Sequence, residues 1–313
     1  MASTPIAVQQ PWSQGRTLRS SFTRWMSYAF STLAIAFVLA LLSLYVWQGF
    51  AVWRHEGLGF LFENNWFYRQ QHFGALSMVY GTIIVSGFAL LLAAPIGIGA
   101  GIFSSEFLPL RLRLAVKIII ELLAGIPSVV YGLLGILFLR DWVYGALSPW
   151  EPLSGDSLLT AGILLAVMIL PTVMTLADDA LRGVSSAQRL AARGLGLTQT
   201  ESIISVCLPQ AWRGIVAAIL LALGRALGEA IAVFLVVGRQ DNQWPANVFS
   251  LRPLIESGQT ITSKLASSET NIAYGDPLHW AAMISLGLVL LALTAVVTVI
   301  ANRLVQRASR HDA

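Results

Sequence analysis

Apolar and polar positions alternate along this chain in long blocks, with six apolar runs at about residues 28–52, 76–103, 114–139, 158–177, 212–238 and 279–305. Each run is near or beyond the ~20 residues that a helix needs to cross a hydrocarbon core about 30 Å thick. The pattern therefore predicts an all-α integral membrane protein with six transmembrane helices. The first run exceeds the ~7–15 apolar residues of a signal peptide and lacks a clear small-residue cleavage site before Trp53, so it reads as an uncleaved anchor behind a polar tail, residues 1–27. Residues 28–310 then form the membrane domain.

The links between runs carry their own signals. Residues 53–74 are dense in aromatics, Trp53, Phe60, Phe62, Trp66, Phe67 and Tyr68, which suits a segment at the headgroup level; docking of an external partner is the alternative. In the second run Gly81, Gly87, Gly97, Gly99 and Gly101 leave a thin surface for neighbouring helices, and Pro95 interrupts the hydrogen-bond ladder. In the third, Pro127 frees carbonyl groups one turn back. Glu121, one turn after Lys117, is expected to pair with it or with a loop arginine, a substrate role being the lesser reading. Asp178 and Asp179 read as a solvated end of the fourth run, and residues 239–277 as a long polar loop able to meet a soluble partner.

The fifth run contains the sharpest contradiction. It is apolar throughout yet carries Arg225 and Glu229 close to its centre. Read as one helix entering near Trp212, at about 1.5 Å per residue, it places Arg225 roughly 20 Å deep, near the bilayer midplane. An arginine at that depth must face protein or a water-filled path, and Glu229 one turn on is the nearest expected partner. Two readings stay open: a structural ion pair, or part of a substrate pathway. Gly224, Gly228 and Ala232, small residues at four-residue spacing, run beside the pair and permit close helix approach.

Composition agrees with the block pattern. The chain has 313 residues, 56% hydrophobic and 12% charged, with a mean hydropathy of +0.70, the profile of a polytopic membrane protein. The single cysteine, Cys207, excludes an internal disulfide, and His55, His72, His279 and His311 show no metal-ligand spacing. A net charge of +4 is spread beside the apolar runs, where basic residues set topology, so nucleic-acid binding is discounted. With six spans and a cytoplasmic N-terminus, Arg16, Arg19, Arg24, Arg111, Arg113, Lys117, Arg182, Arg189, Arg193, Arg213, Arg303, Arg307 and Arg310 fall inside. Arg54, Arg69, Arg140, Arg239, Arg252 and Lys264 fall outside. That excess predicts that both termini are cytoplasmic.

Between the fourth and fifth runs lies SSAQRLAARGLGLTQTESIISVCLPQAWRG. It reads as a helix over about residues 186–193, a glycine turn at Gly194 or Gly196, and a second segment opening near Thr198 or Thr200 and meeting Pro209. Leu190, Ala191, Ala192, Gly196, Val206, Leu208 and Pro209 resemble, at every interval, the EAA loop of bacterial ABC-importer permeases: EAA, three residues, Gly, nine residues, then Ile, one residue and Leu-Pro. Leu190 stands where that pattern has glutamate and Val206 where it has isoleucine. ELLAGIPSVVYG from Glu121 and ALGRALGEAIAV from Ala222 narrow the resemblance to C-type permeases of the Pst phosphate importers, over the chain from about Leu76 onward.

The resemblance implies the type I importer (MetI-like) architecture, an inner-membrane location, and residues 185–210 as the coupling loop to an ATPase. It also implies three partners: a second, related A-type permease, an ATP-binding-cassette ATPase dimer and a periplasmic phosphate-binding protein. No phosphate loop GxxxxGK[ST] occurs in the sequence, so the expectation is a transport subunit, not an enzyme, with ATP–Mg held by the partner ATPase and no cofactor on this chain. Function is then phosphate import by alternating access, with Arg225 and Glu229 in the pathway. The alternatives are a permease for sulfate or molybdate, and a passive anion channel or membrane scaffold.

Overall fold

The computed structural model describes the backbone of residues 13–245 and 252–308. Residues 1–12 of the expected tail, and Arg310 at the end of the expected membrane domain, lie outside these. The chain falls into two units, Met1–Gln48 and Gly49–Ala313. In the first, the chain is helical from Ser13 onward, as helix α1 (Ser13–Glu56), which continues across the boundary.

The second unit proceeds through α2 (Gly59–Phe62) and a hairpin of strands β1 (Trp66–Phe67) and β2 (His72–Phe73), with Trp66 opposite Phe73. It continues through α3 (Leu76–Glu106), α4 (Leu110–Ala124), α5 (Ser128–Leu134), a π-helical segment Gly135–Leu139, and α6 (Arg140–Leu147). Next come α7 (Leu158–Arg182), α8 (Ser186–Gly194), α9 (Gln199–Ser202), a second π-helical segment Ile203–Cys207, and α10 (Leu208–Gly228). After α10 come α11 (Ile231–Val236), α12 (Arg252–Ile255), α13 (Ile261–Leu265) and α14 (Glu269–Ala273) before the last helix, α15 (Pro277–Ala308).

Six helical stretches among the described residues are long and apolar enough to span: Thr23–Glu56, Leu76–Glu106, Ser128–Trp150, Leu158–Arg182, Gln199–Gly228 and Pro277–Ile300. The count matches the sequence pattern, but the third span does not. The run expected over 114–139 is cut at Gly125–Pro127, where Pro127 is extended (ψ 138°) and starts α5. Its first half is the separate helix α4, whose Lys117 and Arg113 point to α7. The span proper starts after the proline.

Helices α3 and α7 form the centre of the core. With lipid outside and no hydrophobic drive between helices, packing depends on small residues that bring backbones together. Ala89, Ala93, Gly97 and Gly101, four apart, supply that stripe: a Cβ on Gly97 would sit 2.9 Å from the Val173 Cβ, and one on Gly101 3.0 Å from the Ala177 Cβ. Around them are buried Val85, Leu165, Met168, Ile169, Ala222, Ala226, Val233 and Val236, so α10, α11 and α5 pack on the same pair.

The polar segment 252–277 packs against the aromatic segment that follows α1. Phe60, Trp66 and Phe73 are buried with Met78, Ile261, Met283 and Leu286, so much of the aromatic segment faces inward and is not a headgroup belt. Lys264 is only 1% exposed. Its Nζ donates to Asp241 at 2.6 Å and to Glu269. Glu269 also accepts from the Trp66 indole at 2.6 Å and lies 2.9 Å from His279 Nε2. Burial pushes the Asp241 carboxyl above its ordinary value, Lys264 offsetting only part of this. For Glu269 burial acts upward too, but the hydrogen bond and charge of Lys264, with Trp66 and His279, win, and the group is held below the ordinary range.

Candidate functional site

The fifth run is not one helix. Helix α10 stops at Gly228, Glu229 is extended (φ −72°, ψ 119°), and α11 begins at Ile231. Glu229 Oε1 accepts the backbone N–H of Ala232 at 3.2 Å and so caps the second piece. Arg225 is one turn before the break, and its Nη1 donates to the Thr172 hydroxyl on α7 at 3.1 Å. The expected Arg225–Glu229 ion pair is therefore absent among the described residues. The break turns Glu229 away from the helical register that would have placed it beside Arg225.

Arg225, Leu221, Gly224 and Gly228 are exposed on one face of α10, and a Cβ at Gly224 or Gly228 would meet nothing within 4 Å. Ala232, which the spacing placed on the same stripe, is buried against Gly132 of α5. Tyr131 of α5 lies within electrostatic reach of Arg225, and its hydroxyl donates to the Leu123 carbonyl at 2.9 Å. The GIPSVVYG motif thus serves a local purpose: the tyrosine bridges back over the proline break to a carbonyl of the preceding helix's last turn. Thr172 and Tyr131 were not singled out by the sequence. The one available signal was their position directly after Pro171 and four residues after Pro127, where a helix in lipid exposes backbone polar groups.

The loop between the fourth and fifth spans is a helix, a turn and a second helix. Ser185 caps α8, accepting from Ala187 N, while Thr198 and Glu201 form a reciprocal capping box on α9. Gly196 turns the chain at φ +84°, a left-handed conformation in which a β-branched residue would be strained. Leu190, Ala191 and Pro209 are exposed, Val206 and Leu208 half-buried, and Ala192 buried.

Arg189, not singled out by the sequence, fastens this loop to the membrane core. Its Nη1 lies 2.7 and 2.6 Å from the two oxygens of Glu106 at the end of α3, and its Nη2 donates to the Leu181 carbonyl at 2.6 Å. Burial alone would weaken the Arg189 charge, but the Glu106 carboxylate more than offsets it and holds the guanidinium pKa above its ordinary value. Gln199 adds a bond to the Glu106 carbonyl at 2.6 Å.

Two further pairs correct the reading of the inner face. Asp178 is 3% exposed and bound by Arg113 at 3.0 Å, so it is a buried partner and not a solvated helix end. Lys117 pairs with Asp179 at 2.9 Å instead of with Glu121, which is exposed.

Comparison with known proteins places these features. The family model for "Binding-protein-dependent transport system inner membrane component" matches residues 93–310. Three relatives carry the name "Phosphate transport system permease protein PstC", the third as "PstC 1". The Mesorhizobium japonicum protein is 33% identical over 92% of both chains. That of Pasteurella multocida is 35% identical over 90% of this chain and 89% of its own. That of Mycobacterium bovis is 37% identical over 76% and 74%. Among solved structures, a bacterial alginate ABC transporter in complex with its alginate-bound periplasmic protein aligns at TM-score 0.61 and 16% identity, over 93% of this chain and 98% of that one. The MetNI methionine ABC transporter aligns at TM-score 0.55 and 17% identity, over 75% and 94%. Both likenesses are of fold, and they match the expected importer-permease architecture.

Proposed function

Because the chain belongs to the family of binding-protein-dependent transport system inner membrane components, multi-pass transport subunits of ABC systems that are not themselves enzymes, we propose that it is the C-type permease of a phosphate importer. The observation that carries this reading is the identity of 33–35% over about nine-tenths of the chain with permeases named for phosphate transport. Phosphate bears more than one negative charge near neutral pH, and crossing hydrocarbon is prohibitive without a compensating cation. Arg225 supplies one. Its guanidinium donates to the neutral Thr172 hydroxyl, a weaker acceptor than a carboxylate, and exchanges it for phosphate oxygens. Glu229 serves the pathway indirectly, by stabilising the helix break beside it.

The exposed surfaces support the same partner set. The face of α10 carrying Leu221, Gly224, Arg225 and Gly228 receives a second, related A-type permease. An ATPase dimer holding ATP–Mg engages the loop around Leu190, Ala191, Ala192, Gly196, Val206, Leu208 and Pro209. A periplasmic phosphate-binding protein docks on the opposite side, and both termini are cytoplasmic, as the basic-residue asymmetry supports.

The test is uptake by proteoliposomes containing this chain, both partner classes and the binding protein. Saturable, ATP-dependent uptake of labelled phosphate that excess sulfate and molybdate do not compete away is expected. Preferential uptake of sulfate or molybdate, or uptake without ATP, overturns the reading.

A further inference from the structure

A polar cavity of about 490 Å³ opens on the inner side, behind the coupling loop. Its walls come from Ser105 of α3, Arg113 of α4, Arg182 at the end of α7, and Ser185, Ser186 and Arg189 at the start of α8. Among the described residues no carboxylate lines it. Arg113 and Arg189 are already paired, with Asp178 and Glu106, but Arg182 is exposed and has no ion-pair partner among the described residues. Topology requires only that basic residues lie on this side. It does not require three arginines and the hydroxyls of Ser185 and Ser186 to converge on one concavity, beside a Ser105 hydroxyl that donates to Glu106 at 3.1 Å.

Guanidinium forks and hydroxyl donors around a concave wall suit a tetrahedral oxyanion, which offers acceptors in several directions. The positive end of α8 adds to the same field. We propose that this cavity is a regulatory site for a phosphate-type oxyanion on the cytoplasmic side. The proposal rests on the transport reading for its orientation and physiological ligand. Since α8 forms one wall and α3, α4 and α7 the others, a bound anion ties the coupling loop to the membrane core and slows the cycle. The shared chemistry is a phosphate group, from free inorganic phosphate or from the headgroup of an acidic lipid.

The test compares wild type, Arg182→Gln and Ser186→Asp. Ser186→Asp suits the first helical position of α8 yet sets a carboxylate at the cavity wall. In right-side-out proteoliposomes of zwitterionic lipid holding the full complex, inorganic phosphate in the lumen is expected to slow initial uptake, with a half-inhibitory concentration about tenfold higher in Arg182→Gln, the loss of one charge-assisted contact. Initial uptake by Arg182→Gln with ATP–Mg but no added phosphate in the lumen stays at the wild-type rate. If the headgroup is the source, slowing instead appears with phosphatidylglycerol when the lumen holds ATP–Mg but no added phosphate, and both variants relieve it.

Broadening of the phosphate ³¹P signal by the detergent-solubilised complex without binding protein gives a readout independent of transport. Weaker broadening in both variants supports the site even where uptake proves specific for another oxyanion. Identical responses of wild type and both variants to phosphate, to acidic lipid and in broadening overturn the proposal.

Discussion

Replacing Arg225 with leucine separates transport from stability. Arg225 is exposed and, among the described residues, makes one hydrogen bond, 3.1 Å to the neutral Thr172 hydroxyl. Losing it costs on the order of 1 kcal/mol or less of stability, because no buried carboxylate is left behind. Glu229→Leu removes the cap on the Ala232 N–H, about 1 kcal/mol. The residues do not touch, so the double variant is expected to show the sum of the two, within about 0.5 kcal/mol. Transport responds differently. A contact between Arg225 and a phosphate oxygen contributes about 1.5–3 kcal/mol, so Arg225→Leu lowers uptake roughly ten- to hundredfold at about 1.4 kcal/mol per decade. Thr172→Val, which removes only the resting partner, is expected to change uptake a few-fold. The assay is initial phosphate uptake per assembled complex, with thermal unfolding of the same preparations. Uptake by Arg225→Leu within twofold of wild type refutes the pathway role, and a double variant markedly more stable than the sum refutes the capping geometry.

Gly196→Val forces a β-branched residue to φ +84°, costing about 1–3 kcal/mol locally, and should uncouple phosphate-stimulated ATP hydrolysis from uptake while the complex still assembles; wild-type coupling counts against the turn's role. Lys264→Met strands the carboxylates of Asp241 and Glu269, a loss of about 3–5 kcal/mol visible in thermal unfolding. The two acids have opposite linkage. Glu269, with its folded pKa depressed, contributes stability present above the ordinary carboxylate range and lost as pH falls through the folded value. Asp241, with its folded pKa raised, contributes stability present in acid and lost as pH rises from the ordinary range through the folded value. Asp241→Asn should abolish that second decline, and an unchanged profile of unfolding temperature against pH argues otherwise. For topology, cysteines at Tyr274 and Leu195, 79% and 84% exposed beside a native Cys207 that is 1% exposed, should react from opposite sides with an impermeant thiol reagent; labelling of both from outside contradicts cytoplasmic termini.

What could be read from the sequence was what depends on local patterning. Long apolar runs name their own solvent, and the helix–turn–helix between the fourth and fifth spans announces itself through its caps and a turn residue, Gly196, that has the positive φ such a turn needs. Three features escaped. Pro127 marked an interruption in the third run, but hydropathy is continuous across Gly125–Pro127 and across Gly228–Ala230, so the start of the third span, the break after Gly228 and with it the true partners of Arg225 and Glu229 were hidden. Lys117 faces a choice between Glu121 on its own helix and Asp179 on another, which only the α4–α7 packing decides. The Lys264 cluster draws on Trp66, Asp241, Glu269 and His279, a set with no periodicity along the chain.

The π-helical segment Ile203–Cys207 joins α9 to α10 without a gap, so that Gln199–Gly228 is continuous helix. The loop and the arginine at its far end are therefore two points on one lever. From Gln199 to Arg225 the arm is about 39 Å at about 1.5 Å per residue. A tilt of about 5° applied at the inner end swings the guanidinium by about 3 Å, comparable to a hydrogen-bond length. On the proposed reading, a movement at the loop reaches the Arg225 guanidinium along one run of helix, and a swing of that size matches the step from one hydrogen-bond acceptor to another.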